Sequence, residues 1–327
     1  MDPYEKLIQK AKQEGEEINE HSTKKTFNAI RFSKWKLILT SVIVVLLIVP
    51  TCFMFTVFYY AFGTKSTTLM DITSQTQYIT EPNITLEELE FDMDFSLFSM
   101  KLDFIQYKQI GKEIYPVKNY ENTFILNNLT EKKIDSKLEK LYPKYPTQTN
   151  PWLVHPENSY EFNNAKEWWI LEGLPDETVV EAYVSLNELY DVEHVQSEFE
   201  NVDVTWATVY TGVEEKNLSA EGSVVSPIGY PVGRDTTNWS PFKNSISHEQ
   251  TFLEILEFLA PYEQIATDVS QHKNLALQER IEYVKQNGFK TYAVVVTGPK
   301  VEVDKLQQSQ IVRLMKLGEV KLWNWVN

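Results

Sequence analysis

Hydrophobic and polar positions follow three different rhythms along this 327-residue chain. Residues 37–62, LILTSVIVVLLIVPTCFMFTVFYYAF, hold no charged side chain. At ~1.5 Å per residue such a run extends about 39 Å as a helix, enough to cross a ~30 Å hydrocarbon core with tilt. It is longer than a signal-peptide core and ends in bulky residues rather than a small-residue cleavage site, so it predicts one uncleaved transmembrane helix. Pro50 falls inside it, and Trp35 just before it and Tyr59 and Tyr60 near its end are placed as interfacial aromatics are.

The rhythm changes to period two over residues 71–130. It is clearest where Phe91, Met93, Phe95 and Leu97 alternate with polar positions, which predicts strands. Pro143, Pro146, Pro151 and Pro156 then interrupt any regular element and suggest a linker over 146–164. From residue 165 strand and helix patterns mix. ETVVEAYVS predicts a strand, and a helix follows, opened by a Ser185/Glu188 capping box. VDVTWATVYTG predicts a second strand, and two helices follow over 248–271 and 274–288, the latter stopped by Gly288. A strand over 291–297, a helix from Pro299 and strands within 311–325 repeat the pattern, with Ser185 and Thr297 each closing a strand and starting a helix. The expected fold is α+β: a single N-terminal transmembrane helix, a β-rich membrane-proximal region and a C-terminal α/β sandwich with duplicated strand-helix-strand units. The expected segments are 1–36 cytoplasmic, 37–62 spanning, 63–145 membrane-proximal, 146–164 linker and 165–327 C-terminal.

Charge sets the orientation. Lys24, Lys25, Arg31, Lys34 and Lys36 precede the span with no acidic residue among them, so the positive-inside rule keeps the N-terminus in the cytoplasm. Of 31 Lys/Arg and 46 Asp/Glu, the first 36 residues take eight and six, leaving 23 basic and 40 acidic residues beyond. An outer part this acidic disfavours nucleic acid and anionic polymers as partners. The one cysteine, Cys52, lies in the span, so the outer chain has no disulfide. That usage fits a bacterial envelope protein better than an animal secretory one, and the N-x-S/T triplets at Asn83, Asn128, Asn217 and Asn238 then read as chance.

Candidate chemistry is sparse. The strand-turn-helix stretch TYAVVVTGPKVEVDKL has neither the Gly-Lys-Ser/Thr ending of a P-loop nor G-x-G-x-x-G, so Thr297, Gly298 and Pro299 read as a structural turn. Asp92-Met93-Asp94 resembles the D-x-D of membrane-anchored glycosyltransferases, but on an alternating strand both acids fall on the solvent face. His155, His194, His248 and His272 lack metal-ligand spacing, and no nucleophile motif occurs. Trp168, Trp169, Trp206, Trp239, Trp323 and Trp325 suit core packing better than a ligand cleft. No catalytic residue, cofactor or metal site is expected.

The N-terminus offers a binding face instead. Asp2 as N-cap, Pro3 at the first helical position and Glu5 predict a helix start. Tyr4, Leu7, Ile8, Ala11 and Ile18 recur at helical spacing and form one apolar stripe, interrupted in sequence by Gly15. With no core of its own to cover, this stripe is expected to meet a partner groove, the alternative being a solvated tail. Phe27, Ile30 and Phe32 are the reserve candidates beside the membrane.

LPDETVVEAYVSLNELYDV, VTWATVYTG, SPIGYP, ALQERIEYVKQNGFKTYAVVVTGP and VKLWNW resemble, in order, the C-terminal domain of the sigma factor regulators of Gram-positive bacteria. RFSKWKLILTSVIVVL and FYYAFGTKS are similar to that family's N-terminal membrane domain. The resemblance covers about residues 25–327. It implies a membrane-bound anti-sigma factor whose inner segment holds an extracytoplasmic-function sigma factor from RNA polymerase and releases it on envelope stress sensed outside. One departure is that only 36 residues precede the span, without the H-x-x-x-C-x-x-C zinc motif of many other anti-sigma factors. A second membrane protein is therefore a further expected partner. The alternatives are a membrane-anchored envelope enzyme such as a glycosyltransferase, and an extracytoplasmic binding or scaffold protein.

Overall fold

The computed structural model describes residues 2–87, 91–136, 152–157, 163–216, 227–233, 240–243, 247–271 and 274–325, without the side chains of 15–24 and 28–29. The chain divides into two compact units, Met1–Tyr59 and Tyr60–Asn327.

The first unit is helical. Helix α1, Pro3–Phe62, continues through Pro50, and its side chains from Leu37 to Val49 are exposed, as a lipid-facing segment requires. Among the described residues it is the one helix long and apolar enough to cross a membrane.

The second unit opens on helix α2, Lys65–Thr80, where the alternation had predicted strands from residue 71. Its many threonines favour strands in isolation. Here some of their hydroxyls bond back within the helix, Thr73 to the Leu69 carbonyl (2.7 Å) and Thr80 to that of Thr76 (2.6 Å), so part of the buried polar face is satisfied internally, while Thr76 Oγ1 and Gln77 Nε2 are buried without a hydrogen-bond partner among the described residues. Tertiary cover decides the conformation: α2 packs against the helices and short strand of a later insert.

The expected strands follow. β1 (Ile84–Leu86), β2 (Asp92–Ser96), β3 (Ser99–Ile110), β4 (Glu113–Ile125) and β5 (Asn128–Ser136) form one antiparallel sheet in which β1 and β2 both pair with β3. Met100, Leu102 and Phe104 alternate inward on β3, and the Phe104 ring stacks on Tyr120 at 5.0 Å.

The proline-rich stretch lies outside the described residues over 137–151. Within residues 152–157, Leu153, Val154 and His155 are buried. Leu153 joins Tyr183, Trp206, Tyr210 and Tyr292 in the core of the second sheet.

That sheet contains β6 (Thr178–Tyr190), β7 (Asp203–Thr208), β8 (Gly229–Pro231), β9 (Thr291–Pro299) and β10 (Val312–Leu322) in the order β10-β6-β9-β7-β8, antiparallel throughout. Short helices α3 (Asn164–Glu172), α4 (Val192–Glu198) and α9 (Lys300–Lys305) pack on it. Between β7 and β9 lies the insert with α5 (Val213–Lys216), α6 (His248–Leu259), α7 (Glu263–Ser270) and α8 (Leu277–Asn287). Without the insert, β6-α4-β7 and β9-α9-β10 are two interlocked units, each split by a strand of the other, which is the ferredoxin-like arrangement. Neither unit could close a sheet alone, so the duplication is real and the two halves share one core.

Several expected boundaries move. Strand β6 runs on to Tyr190, so Ser185 opens no helix. It is buried within the strand, accepting from the Val154 amide (2.9 Å) and donating to the Trp152 carbonyl (3.3 Å), and Asp191 stands at the true N-terminus of α4. Pro261 breaks the expected 248–271 helix into α6, a 3-10 turn and α7. Residues 311–325 contain one long strand with register irregularities rather than several. Gly288 ends α8 as expected, at φ 75°, with its amide on the Val284 carbonyl.

Candidate functional site

The N-terminal stripe is built as its spacing requires. The Asp2 carboxylate accepts from the Tyr4 amide (3.4 Å), its carbonyl accepts from the Glu5 amide (3.0 Å), and Pro3 supplies the first helical residue. At ~100° per residue, Tyr4, Leu7, Ile8 and Ala11 fall within about 100° of arc on one side of the helix. All four are exposed, Tyr4 and Leu7 at 69% each. Ile18 continues the stripe on the helical backbone, but its side chain lies outside the described residues. The reserve residues Phe27, Ile30 and Phe32 are exposed too.

In the second unit a buried polar junction joins the two sheets. Glu181 of β6 is fully buried; it receives Lys108 Nζ of β3 (2.9 Å), Asn83 Nδ2 (2.9 Å) and the Glu319 amide (3.3 Å). Lys108 also donates to the Tyr183 hydroxyl (2.6 Å). Burial alone pushes the Glu181 carboxyl up; the attraction of Lys108 and the donated hydrogen bonds outweigh it and hold the group below the ordinary value. Burial likewise opposes the Lys108 charge, and Glu181 and Tyr183 overcome it and raise its pKa. Beside this pair, the Gly111 amide at the β3–β4 turn donates to Thr297 Oγ1 (2.7 Å), and Asn324 Nδ2 donates to the Ile110 carbonyl (2.8 Å). Sequence reading missed this junction, although a charged residue inside the apolar run VVEAYV was a visible signal.

Several of the chemical candidates take structural contacts. Thr297 Oγ1 donates to the Val180 carbonyl (2.9 Å) while accepting from Gly111, and a Cβ at Gly298 would meet Val202 at 2.8 Å, so the turn is filled by protein. Asp92 and Asp94 are exposed on β2, as alternation requires. His155 stacks on Tyr210, His194 stacks on Tyr190, and His248 Nδ1 shares a hydrogen bond with the Pro231 carbonyl; His272 lies outside the described residues. Among the described residues no three His, Cys, Asp or Glu side chains gather as metal ligands. Trp206 is a core residue whose Nε1 caps the Tyr78 carbonyl (3.2 Å) at the end of α2, Trp169 and Trp323 are exposed, and Trp239 lies outside the described residues. Asn83, at φ 55° and nearly buried, is held by Glu181 and the Gln109 carbonyl, which suits a structural role rather than a glycan acceptor.

Comparison with known proteins matches residues 28–115 to the family described as "Sigma factor regulator N-terminal" and residues 171–319 to "Sigma factor regulator C-terminal". The chain is also 31% identical over 301 residues to the "Probable anti-sigma-M factor YhdL" of Bacillus subtilis (strain 168), across 90% of this chain and 81% of the relative. The chain belongs to the sigma factor regulator family. No solved structure matches it. The N-terminal match begins beside Phe27, Ile30 and Phe32 and runs through the apolar part of α1, α2 and β1–β3 to the start of β4, whereas the C-terminal match covers the ferredoxin-like sheet with its insert. Membership in the sigma factor regulator family points to a regulatory role.

Proposed function

We propose that this sigma factor regulator is a single-pass membrane anti-sigma factor, with residues 1–36 in the cytoplasm holding an extracytoplasmic-function sigma factor and the acidic unit from Tyr60 outside. The observation that carries the reading is the coincidence of family membership with a capped helix whose Tyr4, Leu7, Ile8 and Ala11 stripe stands exposed ahead of the apolar run. Each of Leu7 and Ile8 contributes on the order of 1.5–3 kcal/mol when seated in an apolar groove. The inner segment binds; it makes and breaks no bond. A stress outside alters the outer unit, and the sigma factor is released. The small inner contact leaves room for a second membrane protein to complete it.

Affinity purification of the full chain from detergent-solubilised membranes, with and without residues 2–20, tests the reading. A sigma factor should copurify with the full chain and be lost from the shortened one. Equal recovery from both would place the contact elsewhere, with Phe27, Ile30 and Phe32 next to test.

A further inference from the structure

In the outer unit, the end of the apolar run meets the tips of two hairpins. Tyr60, two residues before the run ends at Phe62, donates toward the Phe124 and Leu126 carbonyls, both at 3.2 Å, and stacks on Phe95 at 5.9 Å. Phe95 leads into the β2–β3 turn, Ser96-Leu97-Phe98-Ser99, and Phe124 into the β4–β5 turn, Ile125-Leu126-Asn127-Asn128. At these two turns Leu97 is 45% exposed, Phe98 56%, Ile125 44% and Leu126 52%. Neither turn carries a charge, although 40 acidic residues follow position 36.

Backbone conformation makes the same point independently. Phe98 (φ 62°) and Leu126 (φ 56°) occupy the left-handed region, which hairpin turns ordinarily fill with Gly, Asn or Asp. The opposite end of the same sheet follows that custom: its β3–β4 turn is Gly111-Lys112, with φ 69° at the glycine. Bulky apolar residues at the two tips bear backbone strain while presenting apolar surface outward. Exposed apolar surface of this kind is stabilised by a nonpolar surrounding.

We propose that the paired tips, through Leu97, Phe98, Ile125 and Leu126, insert into the outer leaflet of the bilayer that the apolar helix crosses. This rests on the membrane-spanning reading above. Lipid is the occupant because of height: Phe62 is ~3 Å along the helix from Tyr60, so Tyr60 holds both tips where the run leaves the hydrocarbon. Shallow burial of an apolar tip at that level is the mode by which interfacial segments bind. Strand β3 then runs from the membrane surface at Ser99 to the buried junction at Lys108.

The test uses the full chain with Cys52→Ser, carrying one cysteine at a time in Leu97→Cys, Ile125→Cys, Val45→Cys or Leu322→Cys and labelled with an environment-sensitive fluorophore. Leu322, 83% exposed, precedes Asn324, which bonds the far end of β3. In phosphatidylcholine/phosphatidylglycerol vesicles containing nitroxide-labelled lipid, labels at 97 and 125 should be blue-shifted and quenched at least twofold more than the label at 322. The double change Phe98→Asn with Leu126→Asn, which keeps residues suited to both turns, should reduce that quenching. Labels at 97 and 125 as unquenched as 322, with 45 quenched, would overturn the tip proposal alone. An unquenched label at 45 would overturn the spanning reading and the proposal with it. Blue-shifted but unquenched labels at 97 and 125 would mean a protein neighbour, such as a second copy, and would also overturn it.

Discussion

Glu181 shows how one residue ties the two sheets together. A fully buried carboxylate is tolerated only with its partners, and truncating one member of such a pair costs about 3–5 kcal/mol. Lys108→Met alone or Glu181→Leu alone is expected to destabilise by that amount in denaturant unfolding, while the double variant recovers most of the loss. The pH dependence has a definite sign. Glu181 is depressed, so its contribution is complete above the ordinary value of 4.5 and is lost as pH falls through the lower folded value. Lys108 is raised, so its contribution is complete below 10.5 and fades only as pH rises further. Lys132 behaves oppositely. Burial, opposed by Glu81 and helped by Lys118, lowers its pKa to about 8, and its ammonium donates to the Val269 carbonyl. The penalty for that charge is present below pH ~8 and is relieved as pH rises toward the ordinary 10.5. Lys132→Met should therefore raise Tm at pH 7 by a few degrees, on the order of 1 kcal/mol, with the gain shrinking by pH 10. A gain independent of pH would count against the buried charge.

At the scale of elements, periodicity was informative where burial is one-sided and silent where it is not. The alternation from Phe91 to Tyr107 placed β2 and β3, because one face of that sheet is buried and the other is not. Glycine and capping residues placed α8 and the first turn of α1 for local reasons. Helix α2 escaped because its buried face is written in threonine, serine and glutamine, whose suitability for burial depends on bonds that only the helix makes. The Ser185 capping box failed because a Ser-x-x-Glu pattern carries no information about the strand neighbours that claim it: Ser185 pairs with Ala293, and its hydroxyl is taken by residues 152 and 154. The N-terminal apolar stripe was legible as a face without a core, while the Glu181 junction depends on contacts between residues 73 positions apart. Gly111 makes a stringent test of that junction. A Cβ there would lie 1.8 Å from Asn324 Oδ1, and φ is 69°, so Gly111→Ala is expected to cost more than 1 kcal/mol and to expose the Lys108–Glu181 pair to faster amide exchange around residues 108 and 181. Unchanged exchange there would dissociate the turn from the junction.

At the scale of the molecule, sequence reasoning treats 165–327 as a self-sufficient fold, and the structure gives a reason to enlarge it. Cut at 165, the sheet loses Leu153 from its core and leaves Glu181 without Lys108 and Asn83. A chain beginning at Lys65 should unfold as one cooperative transition, and one beginning at residue 165 should be markedly less stable. Orientation is tested by protease added to intact cells, which should digest the mass beyond Gly63 and spare residues 1–36. The central claim is that the exposed inner stripe holds a sigma factor, and its most direct measurement is transcription from a promoter of the cognate sigma factor in cells carrying Leu7→Asp with Ile8→Asp. Both residues are exposed on α1, so the double change is expected to leave the fold of the second unit and the membrane level of the protein unchanged. The expected result is derepression approaching that of a strain lacking the protein. A promoter that stays fully repressed, at an unchanged level of the variant in the membrane, would contradict it.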